Sequence, residues 1–472
     1  MIPRALTALL LLFPFTATCQ TQDQIRLDKT AALEDIDTFE TGMRERWSYF
    51  RANGVDPTAP LQALRQQASN GISVQDLGLG ILKIIALFRD GHADVSNLEY
   101  PQGFLPFDED VVAGRIVALS ADRTNFLDKD HPYLSELDGI PLAQWLEASD
   151  RFTPHGSPQF RLDRSAWQLR FITLLRRELN LPEKATVEVE LTNEQGSDRK
   201  KITVPLATDI PDHLVWPMHD SELHPGNIGY LRIWAMRPWM PELIAYWMRF
   251  FRNTKGLIVD VRANSGGTRD ATLALFPYLM APGDDEPWVV NVAALRKSSG
   301  TSSEELSKTR GMYPAESEHW NDAERRAIKQ FMATWKPQWT PPEGEFGEWH
   351  FLVLDRRLNP SAYAYDKPVV ILTDFRDFSG TDIFVSAFKG RRNVTLIGTP
   401  TAGASAFKRE LSLPNSHLVV HLASMISYKR DGKLYDGNGT RPDIHIERTP
   451  ESLLRFGEDN QLRKAIEVLG KH

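Results

Sequence analysis

Gly256-Leu-Ile-Val-Asp-Val-Arg-Ala-Asn-Ser-Gly-Gly-Thr268 runs a buried strand straight into a glycine turn, and Val369-Val-Ile-Leu-Thr-Asp-Phe-Arg-Asp-Phe-Ser-Gly-Thr-Asp-Ile-Phe384 repeats the plan. Leu257, Ile258, Val259 and Val261 form an apolar, β-branched run of the kind covered on both faces, and Ala271 to Met280 has helical spacing. Gly266 and Gly267 therefore fall where a strand gives way to a helix. Without a Cβ, such a turn can fold into a nest of N–H donors and admit a substrate oxygen, which is how an oxyanion hole is made. In the second segment Val369 to Leu372 reads as strand and Thr381 to Phe388 as helix. Ser379 then stands at a helix N-terminus, where partial positive charge favours a developing oxyanion, and the N–H of Gly380 adds a donor. Each motif alone has a plainer reading. A serine before a helix is commonly an N-cap, and Gly-Gly after a strand is commonly a turn.

Taken in order, Asp260-Val-Arg-Ala-Asn-Ser-Gly-Gly267, Phe378-Ser-Gly-Thr-Asp382, Ile397-Gly-Thr-Pro-Thr-Ala-Gly403 and Asp436-Gly-Asn-Gly-Thr-Arg-Pro-Asp-Ile444 change those odds. The set resembles the tail-specific and tricorn-core serine peptidases, whose relatives include the C-terminal processing peptidases and the interphotoreceptor retinoid-binding proteins. The resemblance implies an α+β multidomain chain with a crotonase/ClpP-like ββα catalytic core, an N-terminal helical domain and a degenerate PDZ-like domain. It also implies that Ser379 is the nucleophile, with an oxyanion hole from Gly266, Gly267 and Gly380.

A serine hydroxyl needs a base to take its proton. The processing-peptidase branch uses a lysine after the Thr-Ala-Gly motif, but here that stretch reads Thr401-Ala-Gly-Ala-Ser-Ala-Phe407 and lysine first appears at Lys408. The tricorn-like branch takes a histidine from the N-terminal helical domain, and Arg89-Asp-Gly-His-Ala-Asp-Val95 occupies the matching place, so His92 is the expected base. The residues agree: Ser73 can cap a helix whose positions Leu77 to Phe88 are nearly all apolar, and Gly91 fits its C-cap, leaving His92 on a rigid, packed end. An imidazole titrating near neutrality suits the task and should give activity that falls below about pH 6 to 7. The bland alternative is a histidine closing a helix beside its dipole. In tricorn-like enzymes a glutamate of the Gly-x-Gly-x-x-Pro-Asp neighbourhood and a serine before the histidine orient it; here those places hold Asp436 and Gly91. Asp436 is the expected orienter, with a plain Asp-Gly turn as its competitor and Asp90 and Asp94 as fallbacks.

Composition bounds the rest. A chain of 472 residues with 42% apolar and 10% aromatic content can bury several cores, and 55 Lys+Arg against 62 Asp+Glu leave a formal charge of -7. No basic domain or nucleic-acid motif stands out, so peptide or unfolded protein is the expected partner and nucleic acid is not. Arg4, the apolar stretch Ala5 to Phe15 and Thr16-Ala-Thr-Cys19 read as an export signal too short to span a membrane. The chain's one cysteine, Cys19, allows two fates, cleavage nearby or lipid attachment. The poor lipobox favours soluble export to a periplasmic or secreted location.

The expected organisation is a signal peptide at 1–19, a helical domain at 20–102 carrying His92, a PDZ-like domain at 103–207 and a catalytic domain at 208–472. Leu33, Ile36, Phe39, Met43, Trp47 and Phe50 supply the helical period of the first domain. Tyr133-Leu-Ser-Glu-Leu-Asp-Gly-Ile-Pro-Leu142 and the runs 185–191 and 201–205 resemble PDZ strands, although no clear carboxylate-binding loop accompanies them. The catalytic domain opens with a strand at 227–233 and a helix at 241–251. It is interrupted by a Trp-rich insertion, 282–365, which reads as a lid or a self-packing subdomain and is assigned no site residue. Neither the group His213, His219 and His224 nor the pair His417 and His421, read on one strand face, has zinc spacing, and no metal or cofactor is expected. Three functions remain open: an exported serine endopeptidase using Ser379, His92 and Asp436; a non-catalytic binding protein on the same scaffold; and a hydrolase of a non-peptide ester or amide.

Overall fold

The computed structural model describes residues 21–212, 214 and 216–470. The export segment, Cys19 and His213 lie outside them. The fold is α+β, and at its centre is a six-stranded sheet. Its order is Glu222–His224, Ile228–Arg232, Gly256–Asp260, Val369–Thr373, Val394–Gly398 and Ile444–His445. Every pairing is parallel except the first hairpin. Successive side chains of a strand point to opposite faces, and here both faces are covered. Leu257, Val259 and Ile371 pack with Met240, Ile244 and Met248 of the helix Met240–Phe251, while Ile258, Val370 and Leu372 pack with Leu462 and Ala465 of the helix Asn460–Leu469.

This order explains why motifs far apart in sequence meet. The strands Gly256–Asp260, Val369–Thr373 and Val394–Gly398 are neighbours, and the loops carrying Gly266, Ser379 and Gly403 leave their carboxyl ends, where open parallel sheets place their ligands.

The N-terminal helices Lys29–Arg46, Thr58–Gln67 and Val74–Ala86 are tied to the far end of the chain. The short strand Asp94–Ser96 pairs antiparallel with Val419–Ala423, and Ser48 donates its N–H to the carbonyl of Ala423 at 2.8 Å. A second antiparallel sheet contains Asp108–Val112, Arg115–Leu119, Tyr133–Leu137, Thr186–Thr192 and Arg199–Pro205.

Three details differ from the sequence expectation. Ser73 caps its helix by accepting from the Asp76 N–H, but that helix closes at Leu87 rather than at Gly91. His417 lies before the strand Val419–Ala423, at φ +59°, and so shares no strand face with His421. The insertion is no separate body: its strands Trp288–Arg296 and Phe346–Leu354 share a sheet with Met425–Lys429, and Trp335 and Trp349 pack edge-on against Tyr428. Among the described residues no helix is long and apolar enough to cross a membrane.

Candidate active site

Ser379 precedes the helix Gly380–Phe388 and adopts φ +57°, ψ -111°, a conformation rarely available to a residue with a side chain. Its hydroxyl makes no capping bond, so the N-cap reading does not account for it. Two sets of contacts hold the serine in that bend. Phe378 donates its N–H to the Asn264 carbonyl at 3.0 Å, and Ala263 donates to Asp374 Oδ1 at 3.0 Å, joining the glycine loop to the serine loop. Asp382, buried one turn into the helix, accepts from Thr401 Oγ1 at 2.5 Å and from the amides of Gly403 and Ala404 at 3.0 Å. The Thr-Ala-Gly motif is thereby fastened to the serine helix.

Gly266 and Gly267 lie against the serine at φ +95° and +137°. A Cβ on Gly266 would stand 2.7 Å from both the Gly380 nitrogen and the Ser379 Cβ, and one on Gly267 would overlap the Met236 carbonyl. The close approach of two backbones therefore demands glycine at both positions. The geometry corrects the expected donor set in one respect. The Gly266 N–H already donates to Asn264 Oδ1 at 2.9 Å, so its part is to shape the nest. The amides of Gly267 and Gly380 have no acceptor among the described residues, and a Cβ on Gly380 would come within 3.0 Å of the Gly267 nitrogen.

His92 stacks on the ring of Phe378, the residue before the serine, with centroids 4.4 Å apart. The residue is partly exposed as a whole, yet both ring nitrogens are shielded from solvent and neither has a hydrogen-bond partner. Its ring nitrogen and carboxylate oxygens of Asp90 and Asp436 lie within 4.8 Å of one another. Asp94, the other fallback, is exposed and accepts from the Val95 N–H.

The carboxylates behind His92 are held from every side. Asp436 accepts from Tyr49 Oη at 2.7 Å, the Ser405 N–H at 3.0 Å and the Gly91 N–H at 3.2 Å. Asp90 accepts from Trp47 Nε1 at 2.5 Å and the His92 N–H at 2.9 Å. With so many protein donors the pair reads as an orienting device for the imidazole rather than a metal cage. Burial first, then the neighbouring Asp90 charge, pushes Asp436 well above the usual carboxylate range, and burial raises Asp90 as well. Two dry carboxylates this close hold a proton between them.

Burial, followed by the charges of Arg310, Lys408, Arg269 and Arg164, lowers His92 to about 3. The base is thus neutral and ready to accept a proton across the ordinary pH range. Sequence reasoning missed Tyr49, Arg269 and Arg310. Arg310 belongs to the insertion that was assigned no site residue, yet its Nη1 donates to the Gly267 carbonyl at 3.0 Å. Only the Gly311 stop signal marked the end of its helix, Ser303–Arg310. Lys408 is exposed at the start of the strand Lys408–Ser412.

Comparison with known proteins agrees with this geometry. Residues 227–446 match the model of peptidase family S41. The structure of mature CPAF complexed with lactacystin superposes with a TM-score of 0.64 at 16% identity, over 94% of this chain and 97% of that one. A candidate peptidase from Parabacteroides merdae does so at 0.51 and 14%, over 93% and 96%. Both show the fold. A Chlamydia pneumoniae protein is 32% identical over 93 residues, 19% of this chain, and a Chlamydia muridarum protein 27% identical over 109 residues, 23% of this chain. The matched stretches span 15% and 18% of those relatives' lengths. The domain match, the ordered motifs and the shared fold together establish that the chain belongs to peptidase family S41, a family of serine-type peptidases.

Proposed function

We propose that the protein hydrolyses peptide bonds through an acyl-enzyme on Ser379. The observation that carries this reading is His92: a shielded imidazole with both nitrogens unpartnered, laid on the residue next to the serine and backed by Asp436 and Asp90. Ser379 Oγ attacks the carbonyl carbon of the substrate while its proton passes to His92. The developing oxyanion accepts from the Gly267 and Gly380 amides at the positive end of the Gly380–Phe388 helix. Asp436 orients the imidazole and offsets its charge once protonated. As the intermediate collapses, the C–N bond breaks and His92 returns the proton to the leaving amine. Water, deprotonated by the same imidazole, then releases the acyl group and restores Ser379.

The reading includes export of the chain to the periplasm or the medium. It also keeps the divisions 20–102, 103–207 and 208–472, with the middle unit as a PDZ-like module that holds extended peptide. A fluorophosphonate probe tests the core claim. Labelling of the wild type and not of Ser379→Ala, with hydrolysis of an unfolded protein lost in Ser379→Ala and His92→Ala, is expected. A folded wild type that takes no label would move the chain to the binding-protein reading, and turnover of small esters without peptides to the ester-hydrolase one.

A further inference from the structure

Buried arginines in this protein are paired. Arg262 lies between Asp260 and Asp459, Arg176 meets Asp138, and Arg123 and Arg448 meet Asp110. Arg269 is the exception beside the candidate site. It follows Gly267 by two residues, caps the helix Asp270–Leu279 and is 3% exposed. Its Nε and Nη1 are shielded and without a partner. Asp382, whose field reaches it, directs its oxygens to Thr401, Gly403 and Ala404 instead.

Arg310 completes the pattern. Its Nη1 and Nη2 donate to the carbonyls of Gly267 at 3.0 Å and Ala406 at 3.4 Å, spanning the glycine nest and the loop beyond Gly403, and its Nε is shielded and unpartnered. No carboxylate pairs with either guanidinium among the described residues. Taking a cation out of water is costly unless a counter-charge arrives, and cations this dry are ordinarily paired. A planar guanidinium with free N–H groups is shaped to receive a carboxylate.

We infer that Arg269 and Arg310 form a carboxylate-recognising subsite at the oxyanion nest, so that the preferred substrates are acidic next to the cleaved bond. The carboxylate comes from an Asp or Glu side chain or from the chain terminus of the substrate. This rests on the peptidase reading and adds to it the class of substrate. A bound carboxylate also offsets the cationic field on His92, so substrate binding makes the base stronger at the moment it is used.

The test is a set of degenerate peptide mixtures carrying Glu, Gln or Lys at each position around the cleaved bond, each made as C-terminal acid and amide and read by mass spectrometry. Wild type is expected to favour Glu over Gln at one position by about tenfold or more, the size of a charge-assisted hydrogen bond. If the terminus supplies the group, amidation abolishes the preference instead. In Arg310→Gln and Arg269→Gln, with folding verified by circular dichroism, the ratio should fall toward one, and Arg310→Lys should keep part of it. A labelled, cleaving wild type indifferent to acid in both arms overturns the subsite, as does a preference surviving both Gln variants. Should the wild type neither label nor cleave, the peptidase reading fails on its own. Fluorescence anisotropy of the same peptides on Ser379→Ala then decides the subsite, with tighter binding of the acidic peptides supporting it and equal binding overturning it.

Discussion

At the scale of single residues, His92 differs most from an ordinary member of its kind. A free imidazole loses its proton-accepting form below about pH 6.5, and the sequence alone led to activity falling at about that point. The structure moves the fall. Burial, and then four cations facing the ring from separate parts of the chain (Arg310, Lys408, Arg269 and Arg164), lower His92 to about 3, while Asp90 and Asp436 behind it carry less than two full charges. A base with a depressed value stays neutral as pH falls, so the acid limb of kcat/KM should lie well below 6.5. Removing one cation, in Arg310→Gln, should move that limb upward, toward the ordinary imidazole value. A pH–rate series on both proteins checks the sign: a limb at 6 to 7 in wild type, or no movement in the variant, contradicts it. Gly266 gives a second expectation. In Gly266→Ala the new methyl meets the Gly380 nitrogen and Ser379 Cβ at 2.7 Å, at a φ of +95° that alanine resists. The nest must open, and kcat should fall by about a hundredfold or more, the scale of losing an oxyanion donor.

At the scale of elements, what was legible in the sequence was what is locally encoded. The strand Gly256–Asp260 and its neighbour Val369–Thr373 announce themselves by β-branched runs, and the turns after them by glycines that only a close backbone approach requires. Ser73 announces its helix by its own cap. Tyr49 had no such signal, because its meaning comes from a partner 387 residues away: its hydroxyl donates to Asp436. Arg310 was equally silent, being one of many arginines until the insertion's strands paired with Met425–Lys429 and brought it to Gly267. Gly91 was misread because its useful feature is an N–H given to Asp436, not a helix stop. These long-range contacts seat the histidine segment, which the strand pairing of Asp94–Ser96 with Val419–Ala423 holds in register. Tyr49→Phe should therefore lower kcat more than KM while costing about 1 to 3 kcal/mol of stability, the price of a buried carboxylate losing a donor. Steady-state kinetics and urea unfolding, measured together, separate the two effects.

At the scale of the whole molecule, the antiparallel sheet of residues 108–205 is joined to the serine loop through charge. Asp110 accepts from Arg376 at 3.0 and 3.1 Å and from Arg448 at 2.8 Å, and pairs with Arg123 at 2.9 Å; Arg376 stands three residues before Ser379. These guanidiniums hold the Asp110 carboxyl well below its usual range despite burial, so its contribution to stability is present above the unfolded value near 3.9 and is lost only as pH falls through the lower folded one. Glu109, beside it and 2% exposed, does the opposite. Burial pushes it up to about 8, Arg170 opposes that shift, Asp108 adds to it, and its Oε1 has no partner. A raised folded value favours the protonated form, so the stability Glu109 contributes is complete below its unfolded value near 4.3 and drains away as pH rises toward 8. Glu109→Gln keeps the shape and removes the ionisation. The variant should match wild type near pH 4.5 and exceed it in thermal stability at pH 8 to 9, the gap widening steadily between. A constant difference across that range would mean that Glu109 is already ionised in the folded protein, held by Arg170, and that the charge layer between the two sheets is balanced rather than strained.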